Sequence, residues 1–169
     1  GDLDLVVTSD PIELPGIRYF PLFRYEALLA VARHHRLADK NWVDPGDLSD
    51  EVLITYPVER GRLDVFTQFL EPADVEPAAV RTAELTPMML QLVASALGVA
   101  CLPNWALTEY LQNQTLLACS LGKTGLWATL YAAIRDDAYA APFMRDFVAT
   151  AIDTSFATLT GIRVVPPGT

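Results

Sequence analysis

Polar side chains that could bind a small charged ligand follow three predicted strands. Thr8, Ser9 and Asp10 come after an apolar strand and offer two hydroxyls and one carboxylate. Residues 56–60 supply a phenol and a guanidinium before one predicted helix, and residues 84–86 supply a carboxylate and a hydroxyl before another. Ligands of open α/β sheets bind beyond the carboxyl ends of the strands, and free amides at a helix start attract anions. The candidate binding residues are Thr8, Ser9, Asp10, Tyr56, Pro57, Arg60, Glu84, Thr86 and Asn104.

Five of these residues also have a purely structural explanation. Thr86 is a good N-cap for the helix that follows it. Ser9 and Asp10 can initiate a turn. Arg60 can be a solvated cation at a helix start, although the helix dipole does not favour a positive charge there. Tyr56 can be a core aromatic residue with its hydroxyl at the rim.

The residues that catalysis or metal binding would require are not arranged for either. The serines lack the GxSxG nucleophile elbow, and the glycines form no phosphate-binding loop. His34 and His35 lie in a turn after a predicted strand. Cys101 and Cys119 belong to no CxxC pair and no Cys/His cluster, so we interpret them as small buried residues, with a disulfide between them as the alternative. The sequence therefore predicts no enzyme, no metal site and no cofactor.

Composition limits the partners of the chain. About half of its 169 residues are apolar and a fifth are charged, which is typical of a globular protein, and the formal net charge is −9. Because phosphate binding depends on clustered Lys and Arg, this charge opposes nonspecific attachment to nucleic acid or to an anionic membrane. No apolar stretch could span a membrane and no signal peptide is visible, so we expect a cytoplasmic protein. The sequence starts within a strand pattern without an initiator methionine, so we expect a piece of a longer protein.

Short apolar runs alternate with helical patterns along the chain, which predicts an α/β fold with mainly parallel sheets. The strands are predicted at residues 3–7, 17–23, 26–33, 52–56, 79–83, 99–102, 116–119 and 127–134. The helices are predicted near residues 63–70, 86–97 and 104–112, and from residue 142 onward. Gly98 follows the last apolar position of the second helix, where a left-handed terminator is expected. Phe143, Phe147 and Phe156 share one face of the last helix.

The order of several short motifs points to a known family. The motifs are GDLDLVVTSD, PLFRYEALLAVARHHRLA, DLSDEVLITYP, LVASALGVACLPNWA and LYAAIRD. Their succession resembles the effector-binding region of LysR-type transcriptional regulators, from residue 1 to about residue 151. The segments TYPVERGRLDVFTQFLEPADVEP and GLWATLYAAIRD are similar to the homocysteine-responsive members of that family.

The resemblance implies a periplasmic-binding-protein-like fold of two α/β subdomains joined by crossover strands. Residues 27–133 would form subdomain two, and residues 1–26 and 134–169 would form part of subdomain one. The first strands and helices of subdomain one, which normally carry a hydroxyl-rich helix start in the ligand cleft, have no counterpart in the sequence. The N-terminal winged helix-turn-helix is also absent. We therefore expect an incomplete first subdomain, from truncation or proteolysis.

The resemblance also implies a function. The chain would be an effector-sensing domain that binds a small amino acid such as homocysteine and so controls methionine-biosynthesis genes. The whole regulator would be a homo-oligomer, a dimer or a tetramer, with the helices at residues 63–70 and 143–156 as candidate interfaces. DNA would be bound only through the absent winged helix-turn-helix. The alternative is a free-standing amino-acid solute-binding protein of the same fold, against which the unpaired cysteines and the missing signal peptide argue.

Overall fold

The structure, a computed structural model, describes residues 3–166, which form two compact units. One unit comprises residues 26–126, and the other comprises residues up to 25 together with those from 127 onward. The chain crosses between the units within two strands, at 25/26 and at 126/127, whereas the sequence analysis placed the crossings at 26/27 and 133/134. Residues 1, 2 and 167–169 of the predicted first subdomain lie outside the described residues.

Strands and helices alternate along most of the chain, as predicted. The strands are β1 Leu5–Thr8, β2 Ile17–Ala32, β3 Trp42–Val43, β4 Val52–Thr55, β5 Ala79–Thr82, β6 Val99–Pro103, β7 Leu116–Leu121 and β8 Leu126–Arg135. The α-helices are α1 Thr86–Ala94, α2 Asn104–Gln112, α3 Asp136–Tyr139 and α4 Pro142–Thr158. Short 3₁₀ turns occupy Pro45–Leu48, Arg60–Arg62 and Glu71–Ala73, and a π-helical segment occupies Val65–Leu70. The helix predicted near residues 63–70 is thus present in π-helical form, and the two strands predicted within 17–33 are one continuous strand.

The sheet of the unit 26–126 is mixed rather than mainly parallel. Strand β4 pairs in parallel with both β5 and β6, and β3 pairs in parallel with β7. Strand β2 runs antiparallel to its neighbours β6 and β7. The prediction of mainly parallel sheets was wrong because the long strand β2, which enters this unit from the other one, runs opposite to both neighbours.

Both faces of this sheet are buried. Because successive side chains of a strand point to opposite faces, alternate residues of β2 enter different clusters. Leu29 packs with Phe66 and Leu70 of the π-helical segment, whereas Ala30 packs with Met89 and Leu107 from the two helices on the other face. A central strand covered on both sides accounts for the continuous apolar run in its sequence.

The end of α1 differs from the prediction at Gly98. The left-handed residue is Ala96, with φ of 56°, and the Leu97 amide closes the helix by donating to the Leu92 carbonyl at 3.0 Å. Gly98 instead lies where β6 passes close to β4. A Cβ atom at Gly98 would be 2.5 Å from the Val52 carbonyl oxygen, so this position is restricted to glycine by the close approach of two backbones.

In the other unit, β1 and β8 pair antiparallel, and α4 supplies one buried side chain, Met144. Phe143 and Phe147 are 68% and 50% exposed, so the apolar face predicted for this helix lies largely in solvent. Near the end of the described chain, Arg163 exchanges two backbone hydrogen bonds of 2.8 Å with Arg24. None of the helices within residues 3–166 combines the length and the apolarity needed to cross a bilayer.

Candidate functional site

Two of the predicted binding residues meet at one edge of the sheet in the unit 26–126. Strands β4 and β5 run parallel, so their carboxyl ends lie side by side at Thr55 and Thr82. Tyr56 follows β4 directly, and Thr86 opens α1 shortly after β5. The Tyr56 and Thr86 hydroxyl oxygens lie 2.6 Å apart in a hydrogen bond, although 30 positions separate the two residues. Both side chains are half-buried, so each remains accessible to a ligand.

The start of α1 leaves the Thr86 hydroxyl available for this bond. We expected Thr86 to be the N-cap, but Leu85 occupies that position and Thr86 is the first helical residue. The prediction was therefore wrong by one residue. The first amides of a helix have no acceptor within it, and Pro87 has no amide hydrogen, so Thr86 and Met88 supply the donors here. The positive end of the helix dipole adds to their preference for an anionic group.

Three more predicted residues belong to segments that end or begin at this edge. Pro57 and Glu84 are exposed and follow β4 and β5 respectively. Asn104 follows β6, whose carboxyl end faces the same way as that of β4 because the two strands are parallel. Asn104 is the first residue of α2, since Pro103 occupies the N-cap position. Sequence order alone thus identified the segments that share this edge.

Arg60 is engaged elsewhere. Its Nε donates to a Glu71 carboxylate oxygen at 2.8 Å, and its two terminal nitrogens donate to both oxygens of Glu76 at 2.7 and 2.6 Å. The guanidinium carbon also lies 4.2 Å from the centre of the Phe66 ring. The hydrogen bonds to Glu76 and then to Glu71 raise the pKa of Arg60 and, from the other side, lower the pKa of Glu76. A ligand carboxylate would have to displace a bidentate partner to reach this side chain.

The loop Thr8–Ser9–Asp10 belongs to the other unit. The Asp10 amide donates to the Thr8 Oγ1 at 3.0 Å, and the Thr8 hydroxyl donates to the Asp10 carbonyl at 3.3 Å. Ser9 is exposed between them. The turn predicted for these residues is present, and it holds the Thr8 hydroxyl in place.

The histidine turn after β2 contains a buried ionic contact that sequence reasoning missed. His35 Nε2 lies 3.1 Å from a carboxylate oxygen of Glu51, whose other oxygen accepts a hydrogen bond of 2.8 Å from Arg36 Nε. Glu51 is only 8% exposed. In the sequence, Glu51 is only an acidic residue directly before an apolar strand. That pattern does not show that His35 and Arg36 are its partners. No group of His, Cys, Asp and Glu within residues 3–166 could hold a metal ion.

The two cysteines lie on either side of β2. Cys101 of β6 and Cys119 of β7 are both paired with Leu29, so two strand spacings of roughly 4.8 Å each separate them. A disulfide requires Cα atoms closer than about 7 Å, so the alternative of a bond between them is excluded. Burial raises the pKa of Cys101 to about 12 and that of Cys119 to about 11, which keeps both thiols protonated.

Comparison with known proteins places this geometry in context. A family model described as the LysR substrate binding domain matches residues 1–155. The transcriptional regulator MetR of Escherichia coli K12 is 41% identical over 151 residues, covering 89% of this chain and 47% of that protein. MetR of Haemophilus influenzae is 36% identical over 162 residues, covering 96% of this chain and 52% of that protein. The regulatory domain of MetR from N. meningitidis, a LysR family regulator, is 36% identical with a TM-score of 0.85, covering 96% of this chain and 75% of that structure. This chain thus spans about half the length of the curated relatives.

Proposed function

The chain belongs to the LysR substrate binding domain family, and from this premise we propose that its effector is a small amino acid such as homocysteine. It is a MetR-like regulatory domain of a transcriptional regulator and not a member of an enzyme family. In the whole regulator, binding of the amino acid shifts the population of domain arrangements and so alters expression of methionine-biosynthesis genes. The whole regulator is proposed to be a cytoplasmic homo-oligomer that contacts DNA through a winged helix-turn-helix domain outside this sequence.

The observation that carries the proposal is the hydroxyl pair at the start of α1. A bound amino acid needs donors for its carboxylate, and Thr86 offers a hydroxyl beside the amides of Thr86 and Met88. In this proposal the Tyr56 hydroxyl donates to Thr86 Oγ1 in the 2.6 Å hydrogen bond, which leaves the single hydrogen of the Thr86 hydroxyl to donate to the ligand carboxylate. Leu85 and Met88 are 63% and 56% exposed and supply apolar surface for a thioether or thiol chain.

The remaining candidates take supporting roles in this proposal. Glu84 is the carboxylate proposed to accept from the ligand ammonium group. Thr8, Ser9 and Asp10 belong to the other unit and are proposed as ligand contacts on that unit. Asn104 is proposed to contact the ligand from the start of α2. Arg60 is the weakest candidate, because its guanidinium already has two carboxylate partners.

Calorimetric titration of the chain with homocysteine, methionine and cysteine tests the proposal. We expect saturable binding of homocysteine, weakened by about 10- to 150-fold in Thr86→Val, since loss of one hydrogen bond to a charged group costs about 1.5–3 kcal/mol. Thr67→Val is the matched control, because the Thr67 hydroxyl is also half-buried but bonds the Leu63 carbonyl, just before its own helical segment. Absence of binding for all three amino acids would refute the proposed effector class. Equal weakening by both variants would refute the role of Thr86.

A further inference from the structure

A cavity of about 630 Å³ opens in the unit 26–126 at the sheet edge opposite to Tyr56 and Thr86. Because β2 is antiparallel to β6 and β6 is parallel to β4, the carboxyl end of β2 and the amino end of β4 lie at the same edge of the sheet, with β6 between them. The turn after β2, the two residues before β4 and the carboxyl end of α1 line the cavity. Its volume lies within the range of roughly 300–1,000 Å³ that is typical of small-molecule sites. The proposed effector site does not use this cavity.

One side of the cavity is a fixed network of hydrogen bonds. The Leu37 amide donates to His35 Nδ1 at 3.3 Å, so the neutral imidazole carries its proton on Nε2 and donates it to Glu51. Arg36 donates to the second carboxylate oxygen of Glu51 and, through a terminal nitrogen, to the Asp47 carbonyl at 2.6 Å. Glu51 is therefore satisfied by its neighbours, and its charge is matched by that of Arg36.

Two other charged residues that line the cavity have no such partners. Arg33 and Asp50 are exposed, and neither makes an ion pair or a side-chain hydrogen bond with any residue between 3 and 166. Because the charges of Arg36 and Glu51 compensate each other, the guanidinium of Arg33 and the carboxylate of Asp50 remain for a ligand. The cavity thus offers one charge of each sign together with small apolar walls, to which Ala94 and Ala96 contribute.

We propose that this cavity is a second ligand site, and that it takes a small zwitterion of the amino-acid class. The ligand carboxylate binds the Arg33 guanidinium, which presents paired donors suited to two oxygens, and the ligand ammonium binds the Asp50 carboxylate. A ligand with a single charge would match only one of these groups. The Thr115 hydroxyl is a further polar group in the lining. This site shares no residues with the proposed effector site, so ligand binding here does not depend on ligand binding at Tyr56 and Thr86.

Nuclear magnetic resonance of the ¹⁵N-labelled chain tests this site with L-methionine as the zwitterion and with acetate and methylammonium as single-charge probes. We expect saturable chemical-shift changes of the Ala94, Ala96 and Thr115 amides with L-methionine. The affinity for acetate or methylammonium should be at least about tenfold lower than the affinity for L-methionine. The amide of Thr86 reports the effector site in the same spectra. Shifts at Thr86 without shifts at the cavity amides would overturn the second site and leave the proposed function intact.

Two charge-removing variants complete the test. Arg33→Gln and Asp50→Asn should each weaken the L-methionine response of the cavity amides about tenfold, whereas the Thr86 response should stay unchanged. Asp39→Asn is the matched control, because Asp39 is an exposed carboxylate between β2 and β3 that does not line the cavity. Equal losses in Asp39→Asn and Asp50→Asn, or acetate binding as tight as that of L-methionine, would overturn the proposal. Circular dichroism checks that each variant is folded.

Discussion

Removing the hydroxyls of Tyr56 and Thr86 one at a time and together measures the hydrogen bond on which the proposed site depends. The variants are Tyr56→Phe and Thr86→Val, which delete one oxygen each and keep the shape of the side chain. The bond is 2.6 Å long and half-buried, so its net contribution to the free energy of unfolding should be near the usual 0.5–1.5 kcal/mol. Each single variant should therefore lose about 1 kcal/mol.

The double variant distinguishes this bond from independent effects. Once one hydroxyl is gone, deletion of the other has no bond left to break, so the double variant should also lose about 1 kcal/mol rather than about 2. The coupling between the two positions should thus be about 1 kcal/mol. Urea unfolding monitored by circular dichroism gives each free energy, and unchanged slopes with denaturant would show that the unfolded states are comparable.

The refuting result is additivity. If the losses of the two single variants sum to the loss of the double variant within about 0.3 kcal/mol, the hydroxyls do not interact in solution. Tyr56 then cannot be positioning Thr86. Titration of the same variants with homocysteine adds a functional test. If Tyr56 acts by orienting the Thr86 hydroxyl, Tyr56→Phe should weaken binding in the wild-type background and have no further effect when Thr86 is already valine.

Three further predictions address the rest of the unit 26–126. Gly98→Ala should destabilise the chain by about 2–4 kcal/mol in urea unfolding, because the new Cβ would meet the Val52 carbonyl; a loss below about 1 kcal/mol would mean that the strands can separate at little cost. Cys101 and Cys119 should resist a thiol reagent at pH 8 until the chain unfolds. Because folding raises both pKa values above the ordinary 9.0, the free energy of unfolding should be constant below about pH 9 and fall as the pH rises toward 11; rapid labelling of the native chain would contradict this. Arg60→Gln should leave homocysteine affinity within about threefold of wild type, since the Arg60 guanidinium donates to Glu71 and Glu76. A loss of affinity as large as that of Thr86→Val would mean that Arg60 does bind the ligand.

Local sequence signals predicted the parts of the fold that depend on near neighbours. The sequence predicted the bounds of β4 and β6 to within one or two residues, because each apolar run ends at a proline. It also predicted the start of α1 at Thr86–Pro87. The pairing of Tyr56 with Thr86 was not predicted, because a hydrogen bond across 30 positions depends on which strands become neighbours. The same holds for Arg60, whose carboxylate partners become visible only once the π-helical segment and the turn after it are in place.

The apolar pattern also misjudged two features for identifiable reasons. Glycine after a helical pattern usually indicates a left-handed terminator, but Gly98 is needed for the approach of β6 to β4, and Ala96 takes the left-handed conformation despite its Cβ. An apolar face was predicted for α4, but the sequence pattern alone does not state what covers it. Phe143 and Phe147 remain exposed among the residues described.

The position of β2 in its sheet constrains the order in which the chain can acquire structure during synthesis. Its partners within the unit 26–126 are β6 and β7, so Leu29 meets Cys119 only after 90 further residues have been made. Until then the apolar strand has at least one edge open, and such edges favour pairing with other chains. Closing loops of this length is slow compared with helix formation, so we expect β2 to be ordered late. The central strand of this unit, which is covered on both faces, thus keeps an open edge until β7 has been made.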